Sequence, residues 1–154
     1  MRIQTFLEQS PVFQTGRVAR KLDASLTLAL APEQVTPFEA LVLAAIFFEK
    51  RTDVKPSALA EAFETTRGNI SHSISALESR GLVARRIDPD DARAVRLSVT
   101  PLGRRRAVRI AAILDRIQRR LETDIGPAVL TTMLQQLNTV EQISARPART
   151  SKRS

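Results

Sequence analysis

The chain has 154 residues, 24 Lys and Arg against 16 Asp and Glu, and no Cys. At 43% hydrophobic and 26% charged it suits one globular domain with tails and excludes collagen-like, low-complexity and wholly disordered classes. Without Cys it cannot build a disulfide framework, a thiolate zinc site, an iron–sulfur cluster or a peroxide-sensing thiol.

The longest uncharged apolar run, Ala40 to Phe48, is far short of the roughly 20 residues that span a bilayer. The N-terminus has no basic stretch followed by an apolar h-region, so a cytoplasmic protein with no membrane partner is expected. In chain order, Gln4 to Leu30 places Val18, Leu22 and Leu26 at helical spacing, with Phe6 and Phe13 earlier and Pro11 breaking or kinking the first turns. Thr36-Pro37-Phe38-Glu39 reads as a capping box that opens a second helix to about Lys50, expected to bury Leu41, Ile46 and Phe48. Pro56-Ser57 starts a short helix through Phe63. Thr66 then caps a fourth helix to Arg80, ended by Gly81 in the left-handed position.

From Leu82 the period changes to 2. Val83 to Ile87 and Val95 to Val99 read as a hairpin, joined by the turn formers Asp88-Pro89-Asp90-Asp91 in an exposed basic loop. Thr100-Pro101 opens a long helix with Leu102, Val108 or Ile110, Ile113, Ile117 and Leu121 on one side and Arg on the others. Gly126-Pro127 separates it from a last helix carrying Leu130, Leu134 and Leu137. The basic tail after Ala145 has nothing to bury and reads as disordered.

Charge is unevenly placed. Residues 1–80 hold nine basic and nine acidic side chains, while residues 81–154 hold fifteen and seven, so the whole net charge of +8 lies in the second half. Such asymmetry favours a polyanionic partner, and the excess is mostly Arg, whose fork suits phosphate and guanine.

Two short helices joined by a tight turn, with a two-stranded hairpin directly after, make a winged helix-turn-helix, whose second helix enters the major groove. In that helix Ile70, Ile74 and Leu77 form the core stripe. The opposite face is Gly68, Ser71, His72, Ser75 and Ser79, flanked by Arg67 and Asn69. It is small or polar and free of acids. The same residues would also make an ordinary solvated face, but Arg67, Asn69 and His72 are types that bond base edges and phosphates. Ser57, at the start of the motif's first helix, Thr66 at the cap and Arg96 on the second strand complete the DNA-contact candidates. The Arg104-Arg105-Arg106 run beside the wing is either a solvated face or a phosphate contact.

Leu77-Glu78-Ser79-Arg80-Gly81-Leu82-Val83-Ala84-Arg85-Arg86, followed by DPDDARAVRLSVTPLGRR, resembles the MarR family of bacterial transcriptional regulators. The wing signature falls on Asp91, Arg93, Leu97, Val99 and Thr100. The resemblance implies an obligate homodimer joined through the outer helices at both chain ends. It implies a wing Arg93 in the minor groove oriented by Asp91, recognition residues from Thr66 to His72, and a small-molecule effector. The chain departs from the pattern twice. Glu64 stands where Gly is usual in the turn, so that a left-handed residue there would be strained or the turn differs in shape. Gly68 stands where a polar residue is usual, which weakens base reading at that position.

The expected fold is mainly α with a small β-hairpin: an N-terminal dimerisation helix (1–34), a winged helix-turn-helix (35–100), C-terminal dimerisation helices (101–145) and a basic tail (146–154). The expected function is a homodimeric, ligand-responsive repressor on a pseudo-palindromic duplex operator. The alternatives are a winged-helix protein-interaction module and a nonspecific nucleoid-associated protein. No enzyme, cofactor or metal site is expected. His72 is the only His, and the Asp88, Asp90 and Asp91 carboxylates fit turn formation and pairing with Arg93 better than a cation site.

Overall fold

The computed structural model describes residues 3–49, 54–87 and 95–145. Helices α1 (Ile3–Gln9) and α2 (Pro11–Leu30) are followed by a 3-10 turn (Ala31–Glu33), α3 (Pro37–Phe48), α4 (Pro56–Ala62) and α5 (Arg67–Ser79). Strands β1 (Val83–Ile87) and β2 (Val95–Val99) precede α6 (Pro101–Ile125) and α7 (Pro127–Ala145). Pro11 does interrupt the first helical stretch, which divides at Ser10. The hairpin is antiparallel, with Val83 opposite Val99 and Arg85 opposite Leu97. Val54 adds one bridge on the far side of β2, where the Leu97 N–H donates to its carbonyl at 2.9 Å. Among the described residues, no helix is long and apolar enough by itself to cross a membrane.

The chain divides into two compact units, one of Met1–Leu22 with Arg116–Ser154 and the other of Asp23–Asp115. The second holds the apolar core. Val42 and Leu43 of α3, Leu59 of α4, Ile70, Ile74 and Leu77 of α5, Leu82 and Leu97 at the hairpin, and Ala107 and Ile110 of α6 are all buried in one cluster. Two expectations about this core fail. Ile46 is buried as expected, but Leu41 and Phe48 of α3 are exposed (44% and 61%), and Ala40, Val42 and Leu43 are buried in their place. A helix that reads PFEALVLAAIFF is apolar almost all round, so periodicity alone cannot select its inner face. In α6, Ile110 is buried, and Leu102 and Val108 are exposed.

The inner face of α6 starts at Gly103 and Ala107 because the helix begins against the Leu82 backbone. A Cβ on Gly103 would lie 1.9 Å from the Leu82 carbonyl oxygen. Thr100 holds this approach: its hydroxyl donates to the Gly81 carbonyl at 2.6 Å and accepts from the Gly103 N–H at 2.9 Å.

The segment between α2 and α3 is held by charge. The capping box forms as expected, with the Glu39 N–H donating to Thr36 Oγ1 and the Thr36 N–H to Glu39 Oε2 at 2.8 Å. Glu39 is also buried and receives Arg80 Nη2 at 2.6 Å, while Arg80 Nη1 donates to the Gln34 carbonyl. Glu33, buried too, takes two bonds from Arg109, at 2.7 and 2.9 Å, and its carbonyl accepts from Arg106. The Arg109 hydrogen bonds outweigh burial and hold the Glu33 carboxyl below its ordinary value, and Arg109 is raised in return. For Glu39 burial pushes upward, but Arg80 and Thr36 together overcome it and the carboxyl is lowered.

Candidate nucleic-acid interface

Helix α5 is positioned on both sides by its sequence. At its start the Asn69 N–H donates to the Thr66 hydroxyl at 3.1 Å, an N-cap that satisfies one of the helix's free donors. The Asn69 amide donates to Thr65 Oγ1 at 3.0 Å, which fixes that side chain at the helix mouth. At its end Gly81 adopts φ 68°, with the Gly81 N–H bonded to the Glu78 carbonyl and the Leu82 N–H to that of Leu77. This is a Schellman turn, and glycine fits it without strain.

The core stripe is as expected: Ile70, Ile74 and Leu77 are at most 1% exposed. Ser73 is buried beside them. Arg67, Gly68, Asn69, Ser71, His72, Ser75 and Ser79 all lie exposed, and Thr66 is exposed at the cap. Within this set no carboxylate intervenes, so the helix offers donors and small side chains to a polyanion. A Cβ on Gly68 would meet only Thr66 Oγ1, at 3.8 Å, so the glycine leaves space and not a forced close approach. Ser57 is exposed in the first turn of α4. Arg96 is half-buried on β2 with a buried Nε. Asp91, Arg93 and the turn Asp88 to Asp91 lie outside the described residues.

The Arg run divides. Arg104 and Arg105 are exposed, with the Arg104 guanidinium 5.9 Å from the centre of the Phe47 ring, whereas Arg106 turns inward to the Glu33 carbonyl. Arg85 escapes sequence reasoning altogether. It leaves β1 to bond Ser75 Oγ at 2.7 Å and Glu78 Oε2 at 3.1 Å. The pairing crosses elements at no fixed sequence offset, so only the strand register reveals it.

The turn between α4 and α5 resolves the open question about Glu64. Its φ is 48°, its N–H bonds the Glu61 carbonyl, and the Thr65 N–H bonds that of Ala60. The turn keeps the Schellman shape, and Glu64 bears the left-handed strain.

The sequence profile of the MarR family matches residues 36–95. This segment is a MarR-family domain. No curated protein matches the chain in sequence. Among solved structures, the chain resembles the MepR–DNA complex of S. aureus at 16% identity and TM-score 0.77, with 88% of this chain and 96% of MepR covered. It resembles the transcriptional repressor CouR bound to a 23-mer DNA duplex at 25% identity and TM-score 0.76, covering 88% and 95%. CouR from Rhodococcus jostii RHA1 bound to p-coumaroyl-CoA aligns at 25% identity and TM-score 0.72, covering 87% and 93%. The MarR-family domain holds the whole helix-turn-helix and β1, and ends at Val95, the first residue of β2.

Proposed function

We propose that the protein is a homodimeric, ligand-responsive transcriptional repressor that binds a pseudo-palindromic duplex operator. The observation that carries this reading is the outer face of α5, where Arg67, Asn69, Ser71 and His72 stand exposed in the first two turns while Ile70 and Ile74 anchor the helix from behind. In this reading those residues and Thr66 meet base edges and phosphates, Ser57, Gly68 and Ser75 flank them, and Arg96 joins Asp91 and Arg93 in the wing contact. The DNA complexes of MepR and CouR support it. An effector is supported by CouR with p-coumaroyl-CoA. This chain has a cleft of about 460 Å³ lined by Ala44, Phe48, Ala111, Ala112, Leu114 and Asp115, apolar with one carboxylate. Residues 1–34 and 101–145 serve dimerisation, residues 35–100 bind DNA, and 146–154 form a basic tail.

Two recognition helices one DNA turn apart require half-sites about 10 base pairs between centres. Selection from a random duplex pool, followed by footprinting, is expected to return an imperfect inverted repeat at that spacing. Binding that is weak and indifferent to sequence would favour a protein-interaction module or a nucleoid-coating role instead.

A further inference from the structure

Arg85 is placed to do more than add positive charge. It sits on β1 opposite Leu97, in a register that points its side chain toward α5 with Val83 and Val99, both of which pack against the core. Its Nη2 donates to Ser75 Oγ at 2.7 Å and reaches the Ser71 carbonyl at 3.5 Å, and its Nε meets Glu78 Oε2 at 3.1 Å. The one guanidinium therefore spans two turns of α5, from Ser71 to Glu78, and fastens the root of the wing to the helix. A Lys ammonium could not hold Ser75 and Glu78 in the same way, because its donors diverge from one atom.

The chemistry at Ser75 follows from the donor. A serine hydroxyl has one O–H and two lone pairs. With Arg85 donating into the oxygen, the remaining useful capacity is the O–H, on the exposed face of the helix. Glu78 is neutralised by the same group, so the carboxylate nearest that face no longer repels a phosphate.

We propose that Arg85 is a positioning residue for DNA recognition: it fixes the angle between α5 and the wing, and it holds the Ser75 hydroxyl as a donor toward acceptors on the DNA. This deepens the repressor reading and rests on it. A simple phosphate contact by Arg85 makes different predictions. Such a contact survives replacement by Lys, acts alike on all sequences and lowers the salt slope by about one when removed.

The test uses the full-length protein and the duplex it selects from a random pool, with a random duplex as control, over a series of salt concentrations. Arg85→Lys and Ser75→Ala are each expected to bind the selected duplex about five- to tenfold more weakly and the random duplex within about twofold of the parent, with unchanged salt slopes. The double variant should be no more than about twofold worse than either single one, since both remove the same contact. The proposal is overturned if Arg85→Lys binds like the parent, if the losses on the two duplexes are equal, or if the single losses multiply. A parent protein that prefers no duplex overturns the repressor reading and this inference with it, whereas a discriminating parent with insensitive variants overturns only the role of Arg85. Ser75→Ala, a small change at an exposed helix position, keeps the test decisive should Arg85→Lys disturb the fold.

Discussion

The two units differ in what they hide. Every member of the main apolar cluster, from Leu30 to Ile110, lies in the Asp23–Asp115 unit, whereas in the other unit, among the described residues, Leu130 alone is buried, at 9% exposure. The terminal unit leaves Val12, Phe13, Leu22, Leu134 and Leu137 in contact with solvent, between 40% and 63% exposed. The winged-helix unit has a core of its own. The terminal helices instead present stripes of the kind that a second copy covers, because such faces are too extensive for lone helices in water.

The sharpest way to break this contrast is to put charge on the terminal stripe. Leu130, Leu134 and Leu137 follow i, i+4 and i+7 along α7, so Leu134→Glu combined with Leu137→Glu would bury two carboxylates in any interface built there, at several kcal/mol. The expected outcome is a monomer in equilibrium sedimentation, a loss of about 100-fold or more on a two-half-site duplex as the paired contacts are lost, and an intact winged-helix unit by circular dichroism. A dimer that withstands both substitutions would remove α7 from the interface.

The contrast is tested from the other side at Gly103. There a methyl group must displace the Leu82 backbone, since the clash at 1.9 Å is with a carbonyl and not with a flexible side chain. Gly103→Ala is expected to lower stability by about 2 to 4 kcal/mol in thermal or denaturant unfolding. Gly68→Ala meets nothing closer than 3.8 Å and should gain up to about 1 kcal/mol from helix propensity. Equal effects at the two glycines would mean that the α6 start yields freely.

What could be read in advance follows the same physics. Elements marked by local chemistry were legible: the Thr36 box, the Thr66 cap, Gly81 at positive φ, the helix break at Gly126-Pro127, and the period-2 strands. So was the outer face of α5, because Ile70, Ile74 and Leu77 stand out against Ser, Asn and His. The inner face of α3 was not, because nearly every residue on it is apolar. The ties from Arg80 to Glu39 and from Arg109 to Glu33 join residues 41 and 76 positions apart, and no local pattern announces them. The site residues of the wing turn, Asp91 and Arg93, stand on resemblance alone.

Those ties give the winged-helix unit a pH dependence of its own. Glu33 and Glu39 titrate lower in the folded chain than unfolded, so their stabilisation is complete above the unfolded value of about 4.3. It is lost as pH falls through the lower folded values. The parent should therefore melt progressively lower below about pH 5. Glu33→Gln should start lower at neutral pH, since Arg109 and Arg106 lose their charged partner, and should approach the parent curve in acid. Parallel curves at every pH would show that the Glu33 pair contributes nothing to stability.

The smallest expected effect lies at the turn that opens the recognition helix. Both ends of α5 are bounded by Schellman turns, one with Gly81 at φ 68° and the other with Glu64 at φ 48°. A side chain in the left-handed region costs about 1 kcal/mol or more, and glycine removes that cost although it loses some of the gain to a freer unfolded chain. Glu64→Gly should then raise the melting temperature by about 2 to 4 °C, while Gly81→Ala should lower it. Charge is the competing explanation: Glu64 follows the C-terminus of α4, where a carboxylate is unfavourable, but it also precedes the N-terminus of α5, where one is favourable, and the two nearly cancel. Glu64→Gln separates the causes, because it removes the charge and keeps the strained conformation. If Gln stabilises as much as Gly, the strain at this turn is negligible and the difference between the two ends of α5 is electrostatic.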